Sequence, residues 1–167
     1  KPGLPSIIRE LGEDAAALLI EVRAATVDGI NERISAVHAA MAGIATVEPM
    51  QFSTDPATCD MYWKVRKGTF PSVGAMRRTG TTVIIEDVAF PITSLADAVL
   101  DLQALLRHHG YHEAIIFGHA LEGNVHFVFT QDFGDPTEVD RYARFMDDIV
   151  DLVVKKYDGS LKAEHGT

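Results

Sequence analysis

Thiols are nearly absent from this chain: Cys59 is the one cysteine in 167 residues. A lone thiol cannot build an internal disulfide framework, and it cannot supply the roughly four thiolates of an iron–sulfur cluster. Positive charge is also in short supply. Fifteen Lys and Arg face 24 Asp and Glu, a net charge of −9, which leaves no basic surface for a phosphate backbone and excludes nucleic acid as a partner. No run of about 18 apolar residues is present. The opening Lys1-Pro2-Gly3-Leu4-Pro5 lacks the charged-then-apolar pattern of a secretion signal, and no glycine-rich segment suited to cradling phosphates occurs. A reducing, cytoplasmic setting is the expectation.

What remains has the composition of one ordinary globular domain, 47% apolar and 23% charged, with enough length for a real core. Residues 6–11 suggest a short helix. Apolar runs suggest buried strands over 15–23 and 44–52. Between them Ile30, Ile34, Val37 and Met41 recur at helical spacing behind Asp28, a candidate N-cap. Asp55-Pro56 is a cap followed by first-turn proline, so a helix should run to Lys67 and stop at Gly68. Trp63 and Arg66, three apart, share a face of it. A strand is expected over 81–90, and a helix from the capping-box-like Ser94-Leu95-Ala96-Asp97 to Gly110. Asp135-Pro136-Thr137-Glu138 opens a long amphipathic helix ending near Gly159, and 160–164 reads as a last strand. The order of elements implies an α+β fold: a ferredoxin-like, mixed or antiparallel sheet with helices on one face.

The most informative stretch is Phe117-Gly118-His119-Ala120-Leu121-Glu122-Gly123-Asn124-Val125-His126. Two strand-like runs flank Gly123-Asn124, residues that tolerate the positive φ of a hairpin turn. A loop centred between Glu122 and Gly123 sets His119 opposite His126, with Cβ atoms roughly 4.5–5.5 Å apart on one face. Two imidazoles so placed can hold a metal ion, or can be half-buried sheet histidines. His108, His109 and His112 look like a second cluster, but a helix end favours cations, and capping accounts for them.

Gly118-His119-x-x-x-Gly123-Asn124-x-His126 resembles the metal-site motif in the C-terminal, substrate-binding domain of FAD-linked oxidases of the D-lactate and D-2-hydroxyglutarate dehydrogenase group. Trp63-x-x-Arg66, Asp87-x-x-x-Pro91 and Glu164-His165-Gly166 resemble three further family motifs, in order, over about the last two-thirds of the chain. Where many members read Gly-Asp-Gly-Asn in the turn, this chain has Leu121-Glu122-Gly123-Asn124, a variant similar to the large iron–sulfur-containing D-lactate dehydrogenase-like branch.

The resemblance implies that residues 1–167 are the substrate or cap domain of a larger enzyme. Its flavin-binding domain would lie before Lys1 in the same polypeptide, and electrons would leave to an acceptor such as an iron–sulfur domain. It also implies FAD as cofactor and a divalent metal, zinc or manganese, held by His119, His126 and Glu164. Arg66 and Asn124 would bind the 2-hydroxy-acid substrate, and His165 would be the catalytic base. Some members place a substrate-contacting Lys just before the position of Glu86. This chain has Ile85 there, which favours a monocarboxylate such as D-lactate. The intact enzyme would be cytoplasmic, either free or peripheral at the inner face of the membrane. A rival from another class is a non-catalytic ferredoxin-like module for small-molecule binding or assembly, which needs no metal chelate. A metal-dependent hydrolase using the same ligands is disfavoured by the lack of a separate nucleophile.

Overall fold

The structure is a computed structural model that describes Gly12, residues 15–68 and residues 77–164. It divides into two compact units, Lys1–Thr69 and Phe70–Thr167. The expected helix over 6–11 lies outside the described residues.

The first unit holds two helices, α1 (Val27–Ala40) and α2 (Pro56–Lys67). Thr26, not Asp28, caps α1, its hydroxyl accepting from Gly29 N at 3.1 Å. Asp55 caps α2 as expected: its carboxylate accepts from Thr58 N at 2.8 Å, Pro56 takes the first turn, and the helix stops at Gly68. Neither expected strand forms among the described residues of this unit. Leu18, Leu19, Ile44 and Val47 stay exposed, and Pro49 interrupts the second run with a residue that cannot donate to a ladder. A short apolar run becomes a strand only when a neighbour pairs with it. Here 15–23 is tied by side chains instead, with Trp63 Nε1 donating to Glu21 Oε2 at 3.1 Å.

The second unit carries the sheet. Its order is β1 (Thr82–Ala89), α3 (Leu95–His108), β2 (Ile115–His119), β3 (Asn124–Gln131) and α4 (Pro136–Val150). The strands lie in the order β1-β3-β2, all antiparallel neighbours. This is the split β-α-β arrangement of a ferredoxin-like layer. The fourth strand of that layer is reduced to one bridge: Ser160 exchanges both backbone bonds with Ala89, at 2.8 and 2.9 Å. The strand expected over 160–164 therefore shrinks to a single residue beside β1. The fold is α+β, and its sheet is antiparallel rather than mixed.

The pleat sorts β1 and β3 into two faces. Val88, Val125, Phe127 and Phe129 join Leu102 and Leu106 of α3 and Phe145 and Ile149 of α4 in the core. Each such side chain contributes roughly 1.5–3 kcal/mol on burial. The opposite face carries Asp87, Phe117, His119, Asn124 and His126. At its end α4 widens into a π-helical turn, Asp151–Lys156. Gly159 N then bonds Val153 O at 2.8 Å, which aims the chain back along β1. No described helix is long and apolar enough to cross a membrane.

One carboxylate sits on the core face. Glu86 lies opposite Phe127, is 8% exposed, and accepts from the Tyr142 hydroxyl at 3.3 Å. Burial raises its carboxyl above the usual 4.5, against the smaller downward pull of Tyr142; burial, with Glu86 beside it, pushes Tyr142 up to about 12. A raised carboxyl binds its proton more tightly in the folded state, so folding stability falls as pH climbs from 4.5 through the folded value. Glu86→Gln keeps an acceptor for Tyr142 and removes that titration. The variant should be more stable than the parent near neutral pH, with the difference vanishing below pH 4.5. Urea unfolding midpoints at the two pH values check this; a variant less stable near neutrality would contradict it.

Candidate metal centre

The turn between β2 and β3 decides where the histidines stand. A 3-10 turn over Ala120–Glu122 closes onto Gly123, whose φ is +66°. Glycine is needed here twice over. The left-handed backbone disfavours a side chain, and a Cβ would lie 2.1 Å from the Phe90 carbonyl oxygen. Gly123 O in turn accepts from Phe90 N at 2.9 Å, pinning the turn to the end of β1.

Gly123, not Asn124, thus ends the loop, and Asn124 becomes the first residue of β3. The register follows: Phe117 pairs with His126 and His119 with Asn124. His119 is therefore not directly opposite His126 as the spacing suggested. The pairing has slipped by two residues, and an even slip preserves the face. The two rings meet on the diagonal, centroids 5.7 Å apart and nearly perpendicular.

Glu164 joins them from the segment that Ser160 anchors to β1. Its Oε1 lies 3.2 Å from His119 Nε2 and its Oε2 3.6 Å from His126 Nε2. One ligand atom from each of the three falls within 4.8 Å of the others, the one such set of three among the described residues. Two imidazole nitrogens and one carboxylate oxygen are a donor set suited to zinc or manganese and leave further positions open. His119 and Glu164 are half-exposed, whereas the His126 side chain is 5% exposed. The nitrogens can be reached from one side, while His126 is fixed from the other.

Behind His126 lies a polar layer that sequence reasoning undervalued. Asp87, the acid of the Asp87-x-x-x-Pro91 motif, is 1% exposed, and its Oδ1 approaches His126 Nδ1 at 3.3 Å. Asn124 Nδ2 donates to Asp87 Oδ1 at 2.5 Å and to Val88 O at 3.3 Å. Asn124 is thus buried, with its amide nitrogen engaged beneath the centre. Arg66 is half-buried on α2, in the first unit. His165 lies outside the described residues. The histidines at the end of α3 form no chelate: His109 Nε2 contacts Asp148 Oδ2 at 2.7 Å, tying α3 to α4.

The family model for the C-terminal domain of FAD linked oxidases matches residues 7–167. The chain belongs to that family. Among curated proteins it is similar to the D-2-hydroxyglutarate dehydrogenase of Escherichia coli strain K12, 29% identical over 143 residues, which is 82% of this chain and 14% of that protein. The D-2-hydroxyglutarate dehydrogenases of Pantoea ananatis and Haemophilus influenzae are 31% and 27% identical over 117 residues, 70% of this chain and 11% of each relative. The chain therefore spans little more than a tenth of the length of these relatives.

Two residues on this face should answer substitution differently. Asn124→Ala strips a buried carboxylate of a donor and should cost roughly 1–3 kcal/mol. His119→Ala, at a half-exposed position, should stay within about 0.5 kcal/mol. Denaturant titrations of the two variants in chelator-treated buffer measure the contrast; equal losses would place the structural weight elsewhere.

Proposed function

We propose that this chain is the substrate- and metal-binding part of an FAD-dependent dehydrogenase that oxidises a D-2-hydroxy acid to the 2-oxo acid. The observation that carries the reading is the convergence of His119, His126 and Glu164, because a cation held there would ease loss of the hydroxyl proton from a hydroxy acid. When bound, a zinc- or manganese-type ion lowers the pKa of the substrate hydroxyl, and FAD accepts the hydride. His119 and His126 donate ring nitrogens to the ion, and Glu164 adds a carboxylate oxygen. His165, next to Glu164 in sequence, takes the hydroxyl proton. Arg66 receives the substrate carboxylate in its two-pronged guanidinium, and Asn124 steadies the centre from below.

In this reading the flavin-binding domain belongs to the same polypeptide, the electron acceptor lies outside these residues, an iron–sulfur domain fitting that role, and the enzyme works at or in the cytoplasm. Ile85 lies on the same face of β1 as Asp87 and brings no cation to it, which supports a monocarboxylate such as D-lactate. The names of the relatives favour a second reading, D-2-hydroxyglutarate.

Anaerobic flavin reduction in the intact enzyme tests this directly. D-lactate and D-2-hydroxyglutarate are mixed with it in turn, and the larger kcat/KM identifies the substrate class; bleaching by neither acid would favour the non-catalytic module. His126→Ala should lose metal and turnover together. His165→Gln should keep its metal and reduce flavin about 10²–10⁴-fold more slowly, the usual worth of a positioned base. Loss of metal from His165→Gln as complete as from His126→Ala would move His165 among the ligands.

The role of Arg66 has its own signature. Arg66→Lys keeps the charge and loses the fork, so KM should rise by the equivalent of roughly 1–3 kcal/mol with a much smaller change in kcat. Unchanged kinetics together with lowered thermal stability would assign Arg66 to packing.

A further inference from the structure

We propose that Asp87 is a positioning residue for this centre: its carboxylate faces Nδ1 of His126 as the acceptor that keeps the proton on that nitrogen, so that the Nε2 lone pair faces His119 and Glu164, and Asn124 holds the carboxylate in place. This rests on the metal-centre reading above and goes beyond its ligand set.

Asp87 and His126 are direct partners across β1 and β3, so their side chains rise from the same face at the closest spacing a sheet allows. The ring of His126 then spans two environments. Its Nδ1 lies 3.3 Å from Asp87 Oδ1, where both side chains are almost wholly buried, and its Nε2 lies 3.6 Å from the half-exposed Glu164. A neutral imidazole carries one N–H and one lone pair. An ionised carboxylate only accepts, so the nitrogen facing Asp87 is the one that gains by holding the proton. That leaves the lone pair on Nε2, which a ligand to a metal requires.

The approach falls short of a straight hydrogen bond as it stands, and coordination at Nε2 would fix the plane of the ring. Asp87 itself is held by the 2.5 Å bond from Asn124 Nδ2, and Asn124 is tied to the backbone through Val88 O. A buried carboxylate is costly unless donors meet it. Asn124 meets this one with its amide, and His126 Nδ1 faces it from the same strand. His119 reaches the centre by a different route, from the strand end at the turn, with half its side chain in solvent. The two histidines are therefore unequal: one is aimed from beneath, the other from the rim.

The test reads the tautomer and metal affinity on the 167-residue chain. With 15N-labelled histidine, long-range proton–nitrogen correlations above the imidazole titration range should show His126 protonated at Nδ1 and bare at Nε2. Asp87→Asn and Asp87→Ala should mix the tautomers and weaken zinc binding, read by competition with a chromophoric chelator, by about 10–100-fold. Asn124→Ala should weaken it less. A parent chain protonated at Nε2 overturns the assignment whether or not any variant folds. Zinc bound equally by parent and Asp87→Ala, with the tautomer unchanged, leaves the centre standing and removes Asp87 from it. A parent chain that takes up neither zinc nor manganese overturns the metal-centre reading, and this assignment with it. If the Asp87 variants fail to fold, the parent tautomer and Asn124→Ala decide.

Discussion

The pairing of β1 with β3 is the constraint on which the rest depends. It sets Val88 and Glu86 against Val125 and Phe127 on the helix side, and Asp87 against His126 on the other. The opposite edge of β1 accepts the return of the chain at Ser160, which brings Glu164 to the histidines. The turn at Gly123 is fastened to Phe90, just beyond the end of β1. Core, turn and candidate centre are thus three consequences of one ladder. A register error of one residue would bury the histidines among the phenylalanines and turn the core outward.

The two faces of the sheet solve different problems. On the helix side, Phe127, Phe129, Phe145 and Tyr111 pack ring against ring, with Phe129 and Phe145 at 5.4 Å and close to perpendicular. This geometry adds to simple burial. On the other side Asp87, Asn124 and His126 form a buried polar layer beside Val128: Asn124 donates to Asp87 and to Val88 O, and His126 Nδ1 faces Asp87. Such a layer gains less from desolvation than an apolar one and is kept for what it positions. The helix side also buries Gln131, which accepts from the Tyr111 hydroxyl, and Glu86, whose raised carboxyl reflects burial only partly offset by Tyr142.

Local chemistry was legible in the sequence wherever the local chain decides the outcome. Asp55-Pro56 and Asp135-Pro136 open helices where the caps require, and Gly68 closes one. The hairpin was legible too, because Gly123 and the flanking β-formers lie within a few residues of each other. Its register was not, since Gly123 and Asn124 both tolerate a turn, and only the bond from Phe90 to Gly123 chooses between them. The strands expected over 15–23 and 44–52 failed for a related reason: an apolar run states that it can be buried, not that a partner is present. The sheet of the second unit, by contrast, has its partners within its own sequence.

The role of Asp87 shows where sequence reading stops. As a motif it is one acid four residues before Pro91, and as a strand residue it is an oddity in an apolar run. Nothing nearby in sequence says that it will face a histidine. That depends on a long-range pairing whose phase is set by the Gly123 turn. His119 and His126 kept their shared face despite the two-residue slip only because side chains alternate with period two, so any even error leaves a chelate possible and any odd error destroys it. The pairing error therefore left the candidate centre intact and concealed the residue beneath it. In the expected register His119 and His126 occupy each other across the hairpin. In the observed one His126 pairs with Phe117 on one side and Asp87 on the other, which leaves the imidazole between an aromatic ring and a carboxylate. That flanking sets the phenyl ring against one side of the imidazole and, in the assignment proposed above, an acceptor for Nδ1–H on the other.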